Sequence, residues 1–220
     1  MKVFQIGFNK CGTRSLKTYF RQQGLRTVHH DHGRLARTLN GNREEGRYIL
    51  SGYGDYDAFL DMVCLTESTH IEAFKYYRDF LDEVPDPRFI LNTRDKDKWV
   101  QSCRDHPGFV ARMQAIYGYA DPEQVIAHWL ADWDRHYAAV REAIPPERLL
   151  VYDIEVDEPA KLNRFLGLGD SGGGNGDFTY VGWTPGKTFE AVNRRTPAMV
   201  KDCLPDGVKK QVSWLMRKRR

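Results

Sequence analysis

Ile6-Gly-Phe-Asn-Lys-Cys-Gly-Thr-Arg-Ser15 is the stretch that decides the fold. It joins a short apolar segment, Lys2-Val-Phe-Gln-Ile6, to a segment from Thr13 to Gln23 that carries Leu16, Tyr19 and Phe20 on one helical face. The first has the β-branched, nearly continuous apolar character of a parallel strand buried on both faces. The second predicts an amphipathic helix, closed by Gly24. Gly7 and Gly12 permit a turn in which successive backbone N–H groups converge at the positive end of that helix, where an oxyanion is stabilised. Lys10, Thr13, Arg14 and Ser15 add cationic and hydroxyl donors, so the turn reads as a cradle for phosphate or sulfate.

A nucleotide-hydrolase loop has the form Gly-x-x-x-x-Gly-Lys-[Ser/Thr], in which the lysine reaches the outer phosphates and the hydroxyl holds magnesium. Gly7 and Gly12 have that separation, but Thr13 and Arg14 stand where the Lys and Ser/Thr belong. The lysine sits inside the loop, at position 10, and a magnesium site is poorly supplied. The run Lys10-Cys11-Gly12-Thr13-Arg14-Ser15-Leu16 resembles the 5′-phosphosulfate-binding loop of sulfotransferases. A second stretch strengthens the resemblance: Arg88-Phe-Ile-Leu-Asn-Thr-Arg94 is a strand ending in Arg, followed by Asp95 and a helix carrying Ser102. This is similar to the 3′-phosphate site of the same family, where an Arg forks onto the phosphate and a Ser two helical turns on donates from the other side.

The resemblance implies a three-layer α/β/α domain with a mostly parallel sheet of about five strands, like that of P-loop nucleotide hydrolases. It implies sulfuryl transfer from 3′-phosphoadenosine-5′-phosphosulfate to a hydroxyl or amine of a small-molecule or glycan-type acceptor. Lys10, Cys11, Gly12, Thr13, Arg14, Ser15, Arg94 and Ser102 would bind the donor, with Lys10 also catalytic. Arg194, in Phe189-Glu-Ala-Val-Asn-Arg-Arg195, falls where the family carries a basic loop over the adenosine, although the Arg-Lys-Gly form of the cytosolic enzymes is missing. For the base that takes the acceptor's proton, Asp61 and His30 are the candidates, each at the end of a strand beside the loop. Asp61 is ranked ahead because it is the one polar residue in Phe-Leu-Asp-Met-Val, but His29 and His30 alternate along a strand and sequence does not say which faces the cleft. Asp61 could equally be a carboxylate that orients Lys10 or Arg14.

Elsewhere, Arg26 to His30 predicts a second strand, Asp31 to Arg43 a polar helix or loop, and Tyr56 to Val63 a third strand. Thr69-His-Ile-Glu72 reads as a capping box opening a helix to about Glu83, with Ile71, Phe74, Tyr77 and Leu81 inward. Asp121 and Pro122 begin the longest helix, to Ala143. Leu149-Leu-Val-Tyr-Asp153 is the last strand, and Pro159 to Leu166 a helix. Asp153 is the best argument for an alternative, a nucleotide-dependent kinase; a non-catalytic nucleotide-binding module is the other. Residues 29–60 and 103–125 are expected to shape the acceptor pocket.

The 220 residues read as one domain with a flexible Gly-rich loop near 169–177. A net charge of +3 does not call for nucleic acid. The chain shows no leader pattern and no membrane-length apolar run, and its four cysteines lack metal-ligand or disulfide spacing, which together predict a cytoplasmic protein without a metal. A Cys11 thiol at a helix N-terminus could have a lowered pKa; its other reading is a small residue in a tight turn.

Overall fold

The computed structural model describes residues 1–168. A five-stranded sheet carries the fold, with β1 Lys2–Gln5, β2 Thr27–His29, β3 Ala58–Leu60, β6 Pro87–Thr93 and β7 Leu149–Asp153 in the order β2-β3-β1-β6-β7, every pair parallel. β1 is central because its residues are apolar on both faces, and the alternation of each strand sorts them into two layers. Phe4, Phe59 and Phe89 lie side by side across three strands, Phe4 stacking on the others at 5.0 and 5.7 Å and on Phe80 at 4.3 Å. With Ile6 and Leu91 they form the larger core beneath α2 Arg34–Glu44, α3 Tyr77–Glu83, α4 Lys96–Arg104, α5 Phe109–Tyr117 and α6 Pro122–Ala143. Val3, Ala58, Leu60, Ile90 and Tyr152 face the other way, against Leu16, Tyr19 and Phe20 of α1 Thr13–Gln22 and Leu162 and Leu166 of α7 Pro159–Leu166. The result is a three-layer α/β/α fold with helices on both faces of the sheet.

Most boundaries agree with the expectation. α6 spans its predicted range, with Asp121 accepting from the Glu123 N–H at 2.9 Å and Gln124 reaching back to complete a capping box. The segment after Asp31 is ordered as a single 3₁₀ turn and α2, which buries Leu35, Ala36 and Leu39.

The region from 56 to 76 differs. β3 stops at Leu60, the chain turns through Asp61 at φ 52°, and a separate strand β4, Val63–Leu65, pairs antiparallel with β5, His70–Glu72. The expected helix from Thr69 is therefore a strand and a 3₁₀ turn, Ala73–Lys75, before α3 begins. The reason is local. The Thr66 N–H bonds to the Thr69 carbonyl at 2.9 Å, closing a hairpin turn, and the Glu72 carboxylate pairs with Lys75 instead of reaching back to cap residue 69. A Thr-x-x-Glu pattern is a helix start only if the backbone before it is not claimed by a sheet partner. The expectations on the Gly-rich loop near 169–177, on Arg194 and on the end of a single domain at 220 lie outside the described residues.

Candidate active site

The turn between β1 and α1 is held by its carbonyls. The Ile6 carbonyl accepts from His136 Nε2 at 2.6 Å, the Gly7 carbonyl from Gln5 Nε2, the Asn9 carbonyl from Trp99 Nε1 at 3.0 Å, the Lys10 carbonyl from Arg94 Nη1 at 3.2 Å, and the Cys11 carbonyl from Asn92 Nδ2 at 2.7 Å. In a planar peptide the C=O of one residue and the N–H of the next point in opposite directions. Fixing the carbonyls of residues 9, 10 and 11 outward therefore turns the N–H groups of Lys10, Cys11 and Gly12 inward, and among the described residues none of these three has a hydrogen-bond acceptor. They meet the first turn of α1, which has no side-chain cap and no acidic residue. Such a set of unsatisfied donors at a helix N-terminus fits an anion.

Both glycines are required. A Cβ on Gly7 would lie 2.1 Å from the Asn92 carbonyl oxygen, so nothing larger lets β1 and β6 approach. Gly12 has φ +74°, and a Cβ there would press on Ile154 at 3.0 Å. Lys10 also adopts a left-handed conformation, φ 65°, without being glycine. With His30, Asp31, His32 and Asp61 it places five strained residues after the C-terminal ends of β1, β2 and β3, the edge where open parallel sheets bind ligands.

The buried polar residues behind the turn were not singled out from sequence. Asn92, fully buried, accepts on Oδ1 from Gln5 Nε2 (2.7 Å) and the Gly7 N–H (3.0 Å) while donating to Cys11. Gln5 Oε1 in turn accepts from the Asp61 N–H at 2.8 Å, tying the end of β3 to the turn. From α6, His136 holds Ile6 and the Tyr137 hydroxyl donates to the Asn92 carbonyl at 2.6 Å. A polar residue inside an otherwise apolar strand, as in Ile-Leu-Asn-Thr, and a His on the inward stripe of α6 were the signals that could have found them.

The predicted site residues are brought together in part. Lys10 is mostly buried; burial lowers its pKa, with the Asp61 carboxylate acting the other way, and among the described residues its ammonium forms no hydrogen bond or ion pair. Cys11 is completely buried, and burial pushes its thiol well up, so it is the small inert residue of its second reading and not an activated nucleophile. Thr13 and Ser15 are buried at the start of α1, and Arg14 is exposed. Strand alternation turns His29, not His30, toward the turn: His29 Nε2 lies 3.1 Å from Thr13 Oγ1 and 3.7 Å from Asp61 Oδ2. Burial lowers the His29 pKa against the opposing pull of Asp61, which keeps the ring neutral near pH 7. His30 begins the 3₁₀ turn, and among the described residues its ring makes no hydrogen bond or ion pair. Arg94, at the end of β6, sends Nη1 to the Lys10 carbonyl and Nη2 to Glu155 at 2.8 Å. Ser102 is half-buried on α4, and Asp153 accepts from the Glu155 N–H at 2.9 Å, capping the turn after β7.

A cleft lies beside the turn, with Phe8 and Asn9 on one side and Trp99, Phe109, Met113 and Trp129 from α4, α5 and α6 around it. Its remaining wall is the hairpin, through Val63, Leu65, His70 and Glu72, so residues 29–60, expected to shape a pocket, do not line it. Burial would raise the Glu72 carboxyl, but His70 and Lys75 hold it down at about 2. Among the described residues, no three His, Cys, Asp or Glu side chains gather as a metal site, and no helix is long and apolar enough to cross a membrane.

The sequence profile of the sulfotransferase domain matches residues 2–113, which takes in β1, the turn after it, β6 with Arg94, and α4 with Ser102. No curated protein matches the sequence. Half of the chain, including the turn after β1 and the strands on which it rests, thus carries the pattern of that domain, and the chain belongs to the sulfotransferase family.

Proposed function

We propose that the protein transfers a sulfuryl group from 3′-phosphoadenosine-5′-phosphosulfate to a hydroxyl or amine of an acceptor. The observation that supports this most is the inward set of N–H groups at Lys10, Cys11 and Gly12, produced by the three donors, Trp99, Arg94 and Asn92, that hold the carbonyls of Asn9, Lys10 and Cys11. Those N–H groups, with Thr13 and Ser15 at the N-terminus of α1, bind the 5′-phosphate. Arg94 and Ser102 bind the 3′-phosphate. The donor brings an activated sulfur–oxygen bond. The chain's part is to orient it for in-line attack and to stabilise the oxygen that departs. Lys10 supplies that stabilisation: it stands in the turn itself, and its ammonium is partly desolvated, so a developing negative charge nearby is worth more to it than in water.

The acceptor's proton goes to the pair formed by Asp61 and His29. His29 is neutral near pH 7 and needs no further tuning to act as a base, and Asp61 lies within reach of both His29 and the field of Lys10. His30 shares the same strand end, and a variant at each of the three positions assigns the role. The Lys and Ser/Thr that a nucleotide hydrolase needs after Gly12 are replaced by Thr13 and Arg14, and Asp153 is engaged in a turn, so a kinase reading has no observation in its favour. Incubating the protein with isotopically labelled donor and a panel of phenols, alcohols, amines and sugars, followed by product mass spectrometry, tests the proposal. Label in an acceptor supports it; label retained in the donor with every acceptor, or released only as inorganic sulfate, overturns it.

A further inference from the structure

Arg94 is engaged by a carboxylate of this chain. Its Nη2 donates to Glu155 Oε1 at 2.8 Å, and Glu155 Oε2 accepts from Lys98 Nζ at 3.0 Å. The Arg94 side chain is 9 % exposed and that of Glu155 22 %, so the pair is screened by little water on the arginine side. Glu155 stands in the turn after β7, placed there by its own N–H donating to Asp153. Its carboxylate therefore presents two oxygens to two cations, Arg94 and Lys98, much as a phosphate dianion would.

We infer that Glu155 is a specificity-setting residue that holds the Arg94 guanidinium and competes for it with the 3′-phosphate of a nucleotide. The inference rests on the donor-site reading above and adds a residue to it. With Arg94 Nη1 on the Lys10 carbonyl and Nη2 on Glu155, a phosphate that forks onto the guanidinium through Nη2 has to displace the carboxylate there. Glu155 keeps Lys98 as a partner when displaced, so it remains close and charged. It competes with the 3′-phosphate of both the donor and the bisphosphate product, and it favours release of the latter. A nucleotide without a 3′-phosphate never meets this competition.

The test is calorimetric titration of wild-type protein and Glu155→Gln with 3′,5′-bisphosphoadenosine and with adenosine 5′-monophosphate, together with the dissociation rate of the bisphosphate. Glutamine keeps the shape of the side chain and removes its charge. The expected result is a bisphosphate bound about tenfold tighter and released correspondingly more slowly, the scale of one charge-assisted hydrogen bond, with monophosphate affinity unchanged. Weaker bisphosphate binding would overturn the inference by showing that Glu155 positions Arg94. An equal gain for both nucleotides would overturn it by showing a general field effect. Wild-type protein that binds the two nucleotides alike would overturn the donor-site reading and the inference together, and it would be recognised before any substitution.

Discussion

The ends of β1 and β3 both turn through a left-handed residue that is not glycine, Lys10 at φ 65° and Asp61 at φ 52°, yet they are held in different ways. After β1, five carbonyls are captured by side chains from β1, β6, α4 and α6. After β3, among the described residues the Asp61 N–H has one side-chain acceptor, Gln5, and its carbonyl takes only the Val63 N–H two residues on. Strain persists where the surroundings over-determine it. The turn after β1 is therefore the more rigid of the two, whereas among the described residues the backbone of the turn after β3 has one side-chain hydrogen bond, from Gln5, which also bonds the first turn.

The sharpest way to break this contrast is at Asn92. Asn92→Leu leaves the Gly7 N–H and the Cys11 carbonyl without a partner in a dry interior and takes one of two acceptors from Gln5 Nε2, and the expected loss is at least about 3 kcal/mol in chemical denaturation, with nucleotide binding abolished. Gln5→Leu removes the link to Asp61 and should instead leave a folded protein whose turnover falls more than its nucleotide affinity. Equal losses from the two substitutions would erase the distinction between the turns.

Next in size is Lys10→Ala, expected to lower kcat about 10²- to 10³-fold at saturating donor with little change in KM, because its charge matters once the departing oxygen is negative. Arg94→Gln should do the reverse, weakening bisphosphate binding about 10- to 100-fold. A pair of variants that both act on KM alone would contradict these roles. On the acceptor side, His29→Gln and Asp61→Asn should each lower kcat by about a hundredfold, the scale of general base catalysis, and His30→Gln much less. A large loss confined to His30→Gln would reassign the base.

The smallest expected effect is in stability against pH. Burial lowers the pKa of both His29 and His136, so the unfolded chain takes up protons near pH 6.5 that the folded one refuses, and stability falls as pH drops below about 6.5. Glu72 acts lower down: its depressed carboxyl stabilises above about pH 4.5 and loses that contribution as pH falls toward about 2. Melting temperatures between pH 8 and 5 should begin to decline near 6.5, and His136→Gln, which keeps a donor for Ile6, should reduce the decline. A melting temperature constant down to pH 5 would contradict the assignment of these rings as buried and neutral.

Much of the turn after β1 and of the strand end at Arg94 was legible because their signals are local. Gly7, Lys10 and Gly12 sit in one ten-residue run, and Arg94 and Ser102 lie eight apart across a strand end and a helix. The supports were not, since they act across long stretches of chain: Asn92 bonds Gly7, 85 positions away, and His136 bonds Ile6, 130 positions away. The choice between His29 and His30 needed the register that pairs His29 with Leu60, which no pattern within β2 contains. The region from Thr69 was misread because a short strand and a capping box share the same letters until the hairpin partner, β4, is known.

The central claim is that the turn after β1 binds a 3′-phosphorylated nucleotide without magnesium. Thermal unfolding with 3′,5′-bisphosphoadenosine and with ATP, each in the presence of EDTA and again with Mg²⁺, tests it most directly. The account predicts that the bisphosphate raises the melting temperature equally in both conditions and that ATP does so far less. A larger shift with ATP that appears only with Mg²⁺ would contradict it and make the turn a nucleotide-hydrolase loop after all.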